Sequence, residues 1–215
     1  MNHIKMNKLQ TFNYTVFCGC ALFLLSCTED TTEEVFSSET IEITTLFDQD
    51  AFEDKKMEDL LIELRICDPV NQDSIPVGMT PCSPKYFAFY SYHNKRSLED
   101  AFLLQVKKGV NNYPYRRLLI FAREKGLLVK VNGVNGYLVE KRTRSNGIDD
   151  LVVAVVDNIG GHYERYDILL RYENGKYHYV EALGDLHGTF EHDSELKKEA
   201  TKQIGERIKE KQLLF

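Results

Sequence analysis

The chain has 215 residues and a formal net charge of −6, with 33 acidic against 27 basic side chains and 43% apolar residues. That length holds one domain with a sizeable core, and the acidic balance argues against nucleic-acid binding, which needs a positive surface. No Walker loop, G-x-S-x-G elbow, H-E-x-x-H or C-x-x-C occurs, so no assembled catalytic signature marks the chain as an enzyme.

The N-terminus reads as a secretory signal. Lys5 and Lys8 are followed by an apolar run over 16–25, with no acidic residue before Cys27. That run is far shorter than the roughly 20 residues of a membrane span. At its end Leu24, Leu25, Ser26 and Cys27 resemble the lipobox of bacterial lipoproteins, where a leucine and a small residue precede the cysteine that receives a diacylglyceryl group. The resemblance covers four positions and implies cleavage before Cys27, lipid attachment at its thiol and residence in the cell envelope. At about 0.8 kcal/mol per buried methylene, two acyl chains suffice for stable anchoring. The plainer alternative is a cysteine that ends an ordinary signal peptide.

Directly after Cys27, the run Thr28 Glu29 Asp30 Thr31 Thr32 Glu33 Glu34 resembles the acidic export signals of surface lipoproteins of Bacteroidota. This implies an outer-membrane location, either periplasmic or surface-exposed. Rich in Ser, Thr and Glu, the stretch has too little apolar content to fold alone. The organisation expected is therefore a signal peptide over 1–26, an acidic lipid-anchored tether over 27–46 and one α+β domain over 47–215. Removing the signal leaves 189 residues with net charge −8. Of five cysteines only Cys67 and Cys82 fall inside the domain, and such a pair in an exported protein reads as a disulfide.

Along the domain, 47–66 is ambiguous between helix and strand, with Asp48 or Asp50 as possible helix caps. Residues 87–92 alternate as a strand. Ser97 and Asp100 come close to a capping box, and Leu98, Ala101, Phe102 and Val106 share one helical face, so a helix is predicted over about 98–108. Strands follow over 118–123, 127–131 and 137–141. They are separated by Lys125-Gly126 and by the doubled Val-Asn-Gly of 131–136, because Asn-Gly is the strongest short hairpin signal. Residues 151–156 are apolar on both sides and read as a central strand.

Strands over 166–172 and 177–183 then meet at Asn174-Gly175. A two-residue turn there sets Glu173 opposite Lys176, Tyr172 opposite Tyr177 and Leu170 opposite Tyr179. Finally Asp193 or Ser194 can cap a helix in which Leu196, Ala200, Ile204 and Ile208 form an apolar stripe. The fold class is α+β: an antiparallel meander with a helix before it and a C-terminal helix.

Three features bear on function. Asp185, His187, His192 and Asp193 can act as metal ligands or acid–base groups if a loop gathers them, although solvated loop residues look the same in sequence. Asp157, Asn158, Gly160, Gly161 and His162 form a second polar loop that turn chemistry explains. Between Arg116 and Arg144 there are eight basic residues against two acidic. Arg116, Arg117, Arg123, Lys130, Lys141, Arg142 and Arg144 are thus candidates for meeting an anionic partner, or else keep strand surfaces soluble. Tyrosines 113, 115, 163, 166, 172, 177 and 179 can supply contact area or line the core.

The function expected is that of a non-enzymatic envelope lipoprotein with a membrane lipid and a protein as partners and no cofactor. It would serve an outer-membrane complex or act as an immunity-type inhibitor of a secreted toxin. The alternative is a hydrolase built on the Asp185/His187/His192/Asp193 loop.

Overall fold

Alternating β-branched and aromatic residues dominate the chain from Phe87 to Asp185, and they are used in one antiparallel meander. The computed structural model describes residues 35–41, 51–70, 80–90, 101–107, 116–159 and 161–215. The lipobox, Cys27, Asp48, Asp50, Ser97, Leu98, Asp100, Tyr113 and Tyr115 lie outside them. In chain order the elements are β1 (Val35–Thr40), α1 (Lys55–Glu63), β2 (Cys67–Asp68), β3 (Thr80–Pro81), β4 (Phe87–Tyr90), β5 (Ala101–Lys107) and β6 (Arg116–Glu124). There follow β7 (Leu127–Arg144), β8 (Asp149–Ile159), β9 (His162–Glu173), β10 (Lys176–Asp185), β11 (Gly188–Thr189) and α2 (Ser194–Glu210). Strands β4 to β11 neighbour one another in sequence order and β1 adds to β7. With one helix before the meander and one after it, this is the α+β architecture expected.

Several local expectations are overturned. The helix over 98–108 is not formed: Ala101–Lys107 is a strand, and every residue from Ala101 to Val106 is buried. Ala101 and Leu103 enter one core while Phe102, Leu104 and Val106 enter another. A strand covered on both faces has no polar face to impose a period of two, so its apolar residues also fit a helical stripe. The helix before the sheet is α1 instead, capped by Asp54, whose carboxylate accepts from the Lys56 amide at 2.9 Å.

The doubled Val-Asn-Gly is not a hairpin either, since Leu127–Arg144 is one strand of 18 residues. Up to Asn135 this strand pairs with β6, and from Gly136 it pairs with β8. The repeat is therefore the place where β7 passes from one half of the sheet to the other. A Cβ on Gly133 would overlap the Phe215 ring, and one on Gly136 would overlap the Ala154 carbonyl. These glycines permit close approach. The positive-φ pairs that tight turns demand are Lys125-Gly126 (50° and 85°) and Asn174-Gly175 (50° and 85°). At the latter the pairing is as expected, Glu173 with Lys176, Tyr172 with Tyr177 and Leu170 with Tyr179.

Within the stretch expected as a tether, Val35–Thr40 is a strand that pairs with β7 from Val35 opposite Arg144 to Thr40 opposite Glu140. Strand addition at an edge draws on main-chain hydrogen bonds, so a polar segment can join a sheet with little apolar content of its own.

Two cores result. The larger gathers Leu103, Leu118 and Ile120 from the first half of the sheet, Leu151, Val153, Ile168 and Leu170 from the second, and Ile204 and Ile208 from α2. Leu151 to Val155 are buried, as a central strand requires. The smaller core lies on the other face of β5 and β6, under Leu61, Ile66 and Cys67. There Phe102 stacks on Phe121 at 5.1 Å, and Cys67 is bonded to Cys82 across 15 residues.

Helix α2 is capped by Asp193, which accepts from the Leu196 amide at 2.8 Å. Its apolar stripe begins one turn later than predicted, because Leu196 is 50% exposed. Gly205 lets the helix lie against the Tyr179 ring. After α2 the chain returns to β7, with Phe215 and Gly133 exchanging backbone hydrogen bonds.

Candidate functional site

Asp185 ends β10, and its carboxylate accepts from the amides of His187 (2.7 Å) and Gly188 (3.2 Å), closing the turn into β11. Asp193 is the cap of α2, while His187 and His192 are exposed. Both carboxylates thus serve their own backbone. Among the described residues no three His, Cys, Asp or Glu side chains stand together as metal ligands would. The second polar loop is partly strand: Asp157 is buried in β8, and both its oxygens lie 2.7 Å from Lys211.

The six candidate basic residues whose side chains are described do not form one surface. Arg123 donates to the Gly126 carbonyl at 2.6 Å within its own turn. Lys130 lies over the Phe215 ring, 4.4 Å from its centre. Half-buried Arg117 has its basicity lowered by burial. Arg116 belongs to β6, but its side chain is outside the described residues. The remaining three lie along the second half of β7 and face acids. Lys141 meets Glu39 at 2.7 Å, and Arg142 meets Glu140 at 2.8 Å. Arg144 approaches Asp150 at 3.1 Å, a contact of charges in which its Nε–H is not aimed at the oxygen. Asp150, itself buried, also receives Arg171 at 3.3 Å. Two of the neutralising acids, Glu39 and Asp150, come from outside the basic stretch, which is why counting charges along it overstated the field.

The hydroxyls of Tyr177, Tyr179 and Tyr166 are engaged. That of Tyr177 donates to the Asp149 carbonyl at 2.9 Å, and that of Tyr179 to the Thr201 carbonyl at 2.9 Å. Burial pushes the Tyr179 hydroxyl up to about 12. Tyr166 accepts from Arg207 at 2.7 Å and donates to Glu164.

Two side-chain amides that the sequence reading missed repair the sheet where strand pairing fails. Buried Asn132 accepts from the Tyr177 amide at 2.7 Å and donates to its carbonyl at 3.4 Å, satisfying the start of β10. Gln105 spans the step between β6 and β1 along β7, accepting from Leu138 N at 3.0 Å and donating to the carbonyls of Gly136 and Arg117 at 3.1 Å each.

Two further features stand out among the described residues. One is a groove of about 570 Å³ between β10, α2 and the returning tail, lined by His178, Tyr179, Thr201, Gly205, Gln212 and Leu214 among others. The other is the edge of β7 on which β1 lies. The chain matches no protein-family model, no curated protein and no solved structure. Function must therefore be read from these surfaces. A strand edge can offer main-chain hydrogen bonds to an extended peptide, with neighbouring side chains selecting its sequence. On this edge those neighbours are Glu140, Lys141, Arg142 and Arg144. Glu140 sits low in the carboxylate range: burial would raise it, but hydrogen bonds from Arg142 and Ser38 outweigh that effect.

Proposed function

We propose that this chain is a lipid-anchored protein of the bacterial outer membrane, periplasmic or surface-exposed, whose sheet domain binds a protein partner without a catalytic role. It serves as an accessory subunit of an envelope complex or as an immunity-type inhibitor of a secreted toxin. The observation that carries this reading is the fate of the ionisable side chains. Those carboxylates that looked reactive in sequence are engaged by backbone amides or opposite charges, while a groove stays open beside α2 and the edge of β7 is covered by the short strand β1. The Cys67–Cys82 bond supports an oxidising compartment. No helix among the described residues is long and apolar enough to cross a membrane, so in this reading Cys27 supplies the attachment.

The reading is tested by cross-linking in intact cells and then purifying the lipidated protein from membranes. A partner recovered at constant stoichiometry, native or from competitors' secreted proteins, is the expected result. Purification of the anchored protein alone under every challenge overturns it.

A further inference from the structure

Strand β1 is held differently from its neighbours. Ser37 to Thr40 are exposed, and Ile41, just after the strand, packs on the core. Along Ser37 to Thr40, β1 meets the domain through backbone pairing with β7 and through polar contacts, among them Lys141 with Glu39 at 2.7 Å and the Ser38 hydroxyl donating to Glu140. A segment whose side chains stay in solvent, as those of Ser37 to Thr40 do, belongs to the low-stability end of a fold.

The surface beneath it has a definite chemical demand. The Lys141 side chain is 6% exposed, whereas that of Glu39 is 60% exposed. An ammonium this enclosed is stabilised by a carboxylate beside it, so a strand that carries an acid at the position of Glu39 suits this edge best. The native occupant comes from an acidic stretch, with Glu29, Asp30, Glu33 and Glu34 preceding it.

We propose that β1 is an exchangeable strand, covering an edge of β7 at which a protein partner docks by adding an extended acidic segment of its own with a carboxylate over Lys141. This rests on the protein-binding reading above and gives that binding its surface and its chemistry. Main-chain bonds supply affinity and the acid over Lys141 supplies selectivity. Because β1 is part of the same chain, it competes at a high effective concentration and sets a threshold that only a well-matched segment passes.

The test uses the purified full mature chain and a fluorescent peptide with the sequence of residues 34–42. Saturable binding is expected, tighter by about tenfold on a chain carrying Glu39→Lys, whose own strand competes less well. A peptide carrying that substitution is expected to bind neither chain. Absence of peptide binding to both chains, or equal affinity for both peptides, overturns the proposal. Hydrogen exchange gives an independent reading: β7 amides facing β1 should exchange faster than those facing β8, and equal protection overturns the proposal without any variant. The two readings fail separately. A captured partner that the peptide does not displace refutes strand exchange and leaves protein binding standing, whereas peptide exchange with no partner does the reverse.

Discussion

Asn132 shows how one residue type serves two opposite purposes. In a turn an asparagine before glycine adopts positive φ, but here its amide is buried and bonded to both backbone groups of Tyr177. Asn132→Ala would leave two buried polar groups without a partner, which costs about 2 kcal/mol and lowers the melting temperature by about 6 °C. Thermal unfolding followed by circular dichroism checks this. A true turn residue would tolerate the change far better. Glu140 makes a second prediction. Its folded-state value is depressed below 4.5, so its contribution is fully present above that pH and is lost as pH falls through the depressed value. Amides of β1 should therefore exchange faster at pH 3 than at pH 6 relative to those of β8, and Glu140→Gln should flatten that difference. The role of Asn132 was not legible in sequence because it depends on Tyr177, far along the chain; for Glu140 the neighbouring Arg142 was visible, but the contribution of distant Ser38 was not.

Elements were legible where one face is buried and the other wet, or where a turn fixes the register. The β9–β10 hairpin follows from Asn174-Gly175 alone, and α2 from its cap and from Ile204 and Ile208. Strand β5 was misread because burial on both faces erases the alternation, and β7 was divided because its glycines mimic a turn while serving close packing. Two predictions belong at this scale. Replacing both Cys67 and Cys82 by Ala should cost about 3 kcal/mol, as expected for a loop of this size, seen as a shifted denaturation midpoint with unchanged far-ultraviolet dichroism. Burial raises Tyr179 to about 12 from 10. Its contribution is thus complete below pH 10 and is lost as pH rises through 12. Helix α2 should loosen over that interval, with phenolate absorbance of one tyrosine appearing last. Tyr179→Phe should remove that last phenolate step and cost about 1 kcal/mol through the lost bond to the Thr201 carbonyl.

For the whole molecule, the α+β class was readable from the order of periodic segments, while the sharing of β7 between two halves of the sheet was not. The candidate site was half legible. The basic residues of β7 stood out, but their neutralisation by Glu39 and Asp150 required the pairing of β1 and β8 with that strand. The proposed setting of the domain combines a net charge of −8 after the expected cleavage before Cys27, a disulfide, and an acidic segment between Cys27 and β1. In the proposed function, β1 would couple anchoring through Cys27 to partner binding. Cys27→Ser should release the protein from membranes and leave affinity for the peptide of residues 34–42 unchanged.

The intact mass of the protein isolated from its own cells tests the reading most directly. A mature chain that begins at Cys27 and carries a diacylglyceryl group is the result predicted. A soluble product with an unmodified cysteine, or one that retains residues 1–26, would contradict it.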